Sequence, residues 1–282
     1  MGNVFFGDSS GYSNITGNGD TSIGGYSLYF NTSGNNNTAI GNHSLYSNIT
    51  GVNNTAIGFY AISTSTESDA NTAVGYFSLK SNSIGSGNTS VGSLSLQNNT
   101  IGSNNSAFGS SALTLNNTGS NNSAFGSGSL GANTIGYDNT GFGLGALSSN
   151  TEGIYNTSLG VSSGAYNTTG FHNIFVGVNS GRGISTGNFN ITIGDWSAAA
   201  VGITSGSYNT IIGPGTVSNS SLSNNIILAD GSGIIRLQFN STGQLNLVGP
   251  TVSTVTLSAP DKTIAINING TTYYIQAKLT ND

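Results

Sequence analysis

One spacing governs this chain. An Asn (once an Asp) is followed four residues later by Gly at Asn3, Asp20, Asn37, Asn54, Asn71, Asn88, Asn105, Asn122, Asn139, Asn156, Asn173 and Asn190. Every step is 17 residues, and the twelve copies run without insertion. So short a unit cannot hold two packed helices, and a Gly every seven to ten residues would break a helix anyway. The runs between glycines are three to six residues, β-branched or alternating, which suits short strands. Each copy therefore reads as one coil of an all-β fold, a β-solenoid whose 17-residue coils stack through strand hydrogen bonds. At a strand spacing of about 4.8 Å, the twelve copies would span roughly 58 Å. The next anchors, Asn209 and Asn225, follow at steps of 19 and 16, so the register loosens there.

Numbering columns from the anchor shows what each place demands. Column three is always apolar, from Phe6 through Ile40 and Phe125 to Ile193, and column four is always Gly. Column seven is small, and column eight is mostly Leu or Ile, as at Leu28, Leu45, Ile62 and Leu79. Column fourteen is Gly in ten of twelve copies, with Ser68 and Thr204 the exceptions. The reading that follows puts columns three and eight inside and assigns the glycines to corners with positive φ. Stacked anchor Asn side chains would hydrogen-bond from coil to coil. Strand alternation then turns column two outward. Its small residues, Ala39, Ala56, Ala73, Ala107 and Ala124, form a flat strip that would admit another backbone, a candidate subunit interface. So narrow a rod has few apolar residues per coil, and association of several chains would bury more surface.

Composition removes several function classes. Five Lys and Arg stand against ten Asp and Glu, a net charge of −5, and only 5% of residues are charged. A surface kept wet by amides and hydroxyls offers no basic patch, so neither nucleic acid nor anionic lipid is an expected partner. No run of 18 apolar residues is present, so no membrane insertion is expected. The absence of Cys removes disulfides and thiolate metal sites.

The pattern changes after Pro214, giving a division into a solenoid over 1–213 and a C-terminal β region over 214–282. Residues 224–248 read as short strands joined by Asp-Gly and Ser-Thr-Gly turns. Asn269-Gly270 between alternating runs signals a hairpin. Because an open solenoid end invites aggregation, this region is expected to be a cap and an oligomerisation tip.

The chemistry-bearing residues are few and scattered. His43 and His172 lie in different columns nearly eight coils apart. Glu67 and Glu152 share a column at five coils' distance, roughly 24 Å at strand spacing, whereas a glycosidase pair needs about 5–9.5 Å. No catalytic residue, cofactor or metal site is assigned. Glu67 with Asp69 would make at best a weak cation site. Glycine runs such as 141–147 are explained by the repeat, and no Gly-Lys-Ser/Thr follows them. Column six carries Tyr26, His43, Tyr60 and Phe77 in successive coils and Trp196 later, with Tyr29 and Tyr46 in column nine. If exposed, these form an aromatic ridge that could stack on sugar rings. Column one is a row of Thr and Ser, as at Thr38 and Thr55, which raises ice binding. Its shared parity with column three instead suggests a corner of the interior.

The recurring Asn-Thr-Ala-(Ile/Val)-Gly followed by Ser-Leu, as in 37–45 and 71–79, resembles the head repeats of trimeric autotransporter adhesins. It also resembles the β-solenoid shafts of phage and large-virus tail fibres, and the block 224–245 is more similar to the fibre group. That resemblance implies a homotrimer, an elongated appendage on a virion or other extracellular surface, and attachment to a surface glycan or protein receptor. The expected function is a non-enzymatic, structural and adhesive fibre that gains avidity from repeated contacts. A self-assembling extracellular filament protomer is the alternative. A tailspike-type glycosidase and an ice-binding protein are less favoured.

Overall fold

The computed structural model describes residues 2–197, 204–214, 221–247, 263–268 and 271–276. Each coil contributes one three-residue strand. These are β1 (Val4–Phe6), β2 (Thr21–Ile23), β3 (Thr38–Ile40), β4 (Thr55–Ile57), β5 (Thr72–Val74), β6 (Thr89–Val91) and β7 (Ser106–Phe108). The series continues as β8 (Ser123–Phe125), β9 (Thr140–Phe142), β10 (Thr157–Leu159), β11 (Ile174–Val176), β12 (Ile191–Ile193), β13 (Thr210–Ile212) and β14 (Ile226–Ala229). All fourteen pair in parallel, in sequence order, with like columns opposite one another, as in Thr38↔Thr55, Ala39↔Ala56 and Ile40↔Ile57. The solenoid is thus all-β, and no helix occurs among the described residues.

Pairing turns antiparallel after β14. The strands β15 (Ile235–Phe239) and β16 (Leu245–Leu247) extend the same sheet, so β15 occupies the outer edge of β14. The Asp-Gly turn between β14 and β15 is tied by Asp230, whose carboxylate accepts from the Ser232 amide and hydroxyl and, at 2.7 Å, from Arg236 Nε. The Ser232 hydroxyl bond, then the Arg236 guanidinium, holds this carboxyl well below the usual range. The compact unit containing the solenoid runs to Val248, and residues 249–282 form a second unit. In that unit β17 (Thr263–Ile268) and β18 (Thr271–Gln276) pair antiparallel across a two-residue connection, as the Asn-Gly signal implies. The turn residues 269–270 themselves lie outside the described residues.

The sheet faces the opposite way from the sequence expectation. Column two points in: Ala39, Ala56, Ala73, Ala107 and Ala124 are all fully buried. The proposed interface strip is therefore interior to its own chain. Column three points out: Ile23, Ile57, Phe108, Phe142, Leu159 and Ile193 are exposed, and Ile40 is half-buried. The reason is the width of the coil. At Gly141, in column two, an added Cβ would stand 2.6 Å from Ser129 Oγ and 3.4 Å from the Leu130 side chain on the facing wall. A methyl group nearly fills that gap, so a large residue is driven outward. Column eight is inside as expected, with Leu28, Leu45, Leu79, Leu96, Leu113, Leu130 and Leu147 fully buried.

One coil shows the same constraint in reverse. Phe175 occupies column two and is fully buried, and column eight is Gly181 in its own coil and Gly164 in the preceding one. A Cβ on Gly164 or Gly181 would lie 2.3 or 2.1 Å from the Phe175 ring. The ring takes the volume that Leu fills elsewhere.

With one large apolar residue per coil, polar ladders must supply much of the axial cohesion. The anchor Asn ladder is present: Asn105 Nδ2 donates to the Gly119 carbonyl at 2.9 Å within its coil. Asn105 Oδ1 accepts the Asn122 backbone N–H at 3.0 Å from the next. A second Asn ladder fills column eleven, where Asn116 Nδ2 donates to Asn99 Oδ1 at 2.7 Å and Asn133 Nδ2 to Asn116 Oδ1 at 2.8 Å. A third ladder uses hydroxyls: Thr134 donates to the Thr151 carbonyl at 3.0 Å, and Thr151 to the Thr168 carbonyl at 3.1 Å.

The corners also differ from expectation. Only the column-four glycines bend through large positive φ, 128° at Gly41. Column-fourteen Gly51 is not at positive φ. It is Gly because a Cβ there would meet Asn48 Oδ1 and the Ser68 carbonyl, each at 2.4 Å. The remaining left-handed positions are columns six, eight and sixteen, held by ordinary residues such as His43 (58°), Leu45 (48°) and Asn53 (61°). Such conformations cost on the order of 1–2 kcal/mol each and persist because the neighbouring coils fix them.

Candidate functional surface

Columns one and three share the outer face of the sheet, and the result is a two-lane strip along fourteen strands. One lane is apolar from Phe6 to Leu228. Its middle is aromatic: the rings of Phe108 and Phe125 stack at 4.9 Å and 5°, and those of Phe125 and Phe142 at 5.5 Å and 27°. The other lane is Thr or Ser from Thr21 to Thr157 and becomes Ile at Ile174, Ile191 and Ile226. The Thr row thus faces outward rather than lining an interior corner. No charged side chain interrupts either lane from β1 to β14. At about 4.8 Å per step the thirteen intervals make the strip roughly 62 Å long. A monomer seldom exposes a continuous apolar patch on that scale without a partner for it.

The aromatic ridge assembles on another corner. Tyr26, His43 and Tyr60 stack in succession, at 5.2 Å and 4.6 Å between centroids. Tyr12, Tyr29 and Tyr46 form a parallel stack at 5.1 Å and 5.5 Å. The two are joined by Tyr26–Tyr29 and His43–Tyr46 contacts. Phe77 meets Tyr60 edge-on, and Lys80 Nζ lies 4.4 Å from the Phe77 ring centre. Six of the seven residues singled out from sequence are therefore one cluster. Trp196 is exposed seven coils further along and is not part of it.

Stacking changes what this cluster can do. His43 and Tyr29 each have ring neighbours on the coils before and after, which occupy the faces that a sugar would need. Interior rings present mainly edges, so hydrogen bonding at ring edges replaces face stacking as the available contact. A second ridge was not singled out from sequence. Tyr155, His172 and Phe189 in column sixteen, and Tyr208 likewise just before the anchor Asn209, stack at 4.7, 4.9 and 5.0 Å. Its signal in the sequence is the aromatic run at Tyr155, His172 and Phe189 down one column. Both histidines of the chain thus sit between aromatic rings in separate ridges. Among the described residues no group of three or more His, Cys, Asp or Glu converges as a metal would require. Among the described residues no helix is long and apolar enough to cross a membrane.

No family model matches the chain, and neither a curated protein nor a solved structure matches it significantly. The functional reading therefore rests on the molecule's own surfaces.

Proposed function

We propose that this chain is a non-enzymatic structural module of a surface fibre, a β-solenoid rod that associates with copies of itself as a homotrimer and attaches to a glycan or protein receptor. The observation that carries the reading is the uncharged apolar lane of the sheet. A threefold axis parallel to the rod would bring the same lane of three chains together, so that Phe108, Phe125 and Phe142 pack against their equivalents. Closed symmetry covers the lane completely, whereas a single copy leaves it in water. Display on a virion or another extracellular surface fits a stiff rod whose weak receptor contacts gain avidity from repetition.

The test begins with mass by light scattering. A trimer is expected for the native chain, and a monomer for Phe125→Asp, because a charge in the centre of the buried lane has no partner. A native monomer overturns the proposal. Species that lengthen with concentration into fibres would replace it with end-to-end stacking. Receptor attachment is tested on a glycan array and on intact cells. Binding that falls at least tenfold in the monomeric variant, and falls again with Tyr60→Ala, is the expected result. Loss of neither removes the adhesive part.

A further inference from the structure

The asparagine ladders carry an independent constraint on how the chain is made. Asn-X-Ser/Thr, with X other than Pro, is the acceptor sequence for N-glycosylation. It occurs many times in this chain, and seven of its copies fall on buried ladder positions: Asn31, Asn48, Asn88, Asn116, Asn156, Asn167 and Asn190, completed by Ser33, Thr50, Ser90, Thr118, Ser158, Thr169 and Thr192. All seven asparagines are fully buried. Their amide nitrogens are committed to the ladders: Asn48 Nδ2 donates to Asn31 Oδ1 at 2.9 Å and to the Gly51 carbonyl at 3.1 Å. Asn116 and Asn156 Nδ2 likewise each donate twice.

Glycosylation acts on that same atom. The Nδ2–C1 bond to the sugar forms as the C1–O bond to a lipid pyrophosphate donor breaks. One Nδ2 proton is lost, and the lipid pyrophosphate leaves. A modified ladder residue would lose a hydrogen bond and would need to place a branched oligosaccharide where the next coil stacks. The enzyme meets the chain during translocation, before the coils close, so burial in the finished fold gives no protection. We infer that this protein folds without exposure to an asparagine-glycosylating system. Its maturation is that of a protein made and folded in a bacterial cell or in a nucleocytoplasmic compartment, and it reaches any outer surface by a route other than the eukaryotic secretory pathway.

The absence of Cys sharpens the test, because the oxidising lumen has no thiol to act on. The full chain is expressed in cultured eukaryotic cells, once in the cytosol and once behind a secretion signal. The second expression is repeated with an inhibitor of lipid-linked oligosaccharide assembly. Glycan occupancy is read by mass spectrometry, and folding by protease resistance and a cooperative melt. The cytosolic chain is expected to fold. The secreted-route chain should carry glycans at the buried positions and lose its protease-resistant core, and the inhibitor should restore it.

A second chain removes only the buried acceptors through Ser33→Ala, Thr50→Ala, Ser90→Ala, Thr118→Ala, Ser158→Ala, Thr169→Ala and Thr192→Ala. Thr16→Ala is added to clear the half-buried Asn14. Ala is already the commonest residue at the column of Ser90, Ser158 and Thr192. This chain should fold in the cytosol, and on the secretory route even with glycans on its remaining acceptors, among them the exposed Asn36, Asn42, Asn53, Asn98, Asn104 and Asn121. A folded native chain from the uninhibited secretory route, with the seven positions bare or occupied, would overturn the inference. So would failure of both the inhibitor and the eight-site chain to restore the fold there.

Discussion

Asp20 is the one anchor that is not Asn, and it shows how much a single oxygen-for-nitrogen exchange costs in a ladder. Its Oδ1 accepts the Asn37 backbone N–H at 2.9 Å, as an Asn would. Its Oδ2 cannot donate to the Gly34 carbonyl in the way Asn37 Nδ2 donates to that of Gly51. It accepts instead from Asn31 Nδ2 at 3.2 Å. Burial raises the Asp20 carboxyl above its ordinary value, and the bonds from Asn37 and Asn31 only partly oppose this. An acid held more tightly protonated in the fold costs nothing below the unfolded pKa. The cost grows as pH rises through that value and is complete once pH passes the folded one. Asp20→Asn is therefore expected to stabilise the fold at pH 7 by about 1 kcal/mol. The gain should shrink towards pH 3. Urea midpoints of the two chains at both pH values measure it, and an equal difference at the two would refute the burial argument.

At the scale of the element, the column-eleven ladder is broken at Ser65 and ends after Asn167, and both places leave a mark. Ser65 replaces Asn after Asn48, and Ile184 replaces it after Asn167. Among the described residues, the side-chain oxygens of Asn48 and Asn167 are buried acceptors left without a partner, since each would have received from the missing amide. At the break Ser68 stands where Gly is usual, hydrogen-bonds Ser65, and accepts from Asn82 Nδ2 at 3.2 Å. Ser68 is thus a local repair. Ser65→Asn alone should destabilise, because Ser68 Cβ sits in the space that an Asn side chain needs. With Ser68→Gly it should restore the rung and add about 1–2 kcal/mol. A thermal melt of the native, single and double variants reads this, and a double variant no better than the single would show that the ladder is not the cause.

This logic was half visible in the sequence. The period located the strand of each repeat and the anchor ladder, and Leu at column eight was correctly placed inside. Alternation fixes which columns share a face but not which face is inner. The usual preference for large apolar residues inside put Ile40 in the core and Ala39 on the surface. Only the narrow gap between Ala39 and the opposite wall reverses that. Ring stacking was equally hidden: Tyr26, His43 and Tyr60 read as a row of faces, but the coil spacing closes those faces against one another.

Across the solenoid, stability is a sum of like contacts between neighbouring coils, with no distant element that a given coil must reach. Column registry, rather than the identity of any one coil, should then decide whether a shortened chain folds. Removing residues 105–121 joins Asn104 to Asn122 and leaves every column above the cut over its own kind below it, with Val91 beneath Phe125. The anchor ladder reconnects from Asn88 to Asn122, and the column-eleven ladder from Asn99 to Asn133. The excised chain should keep its β circular dichroism and melt within a few degrees of the native one, in a rod shorter by about 4.8 Å. Removing only residues 105–112 leaves a nine-residue remnant that cannot close a coil and shifts all later columns by half a turn. That chain should lose the cooperative melt, because small and large residues exchange places across the narrow interior. Equal melting of the two deletions would mean that axial registry does not hold the fold together.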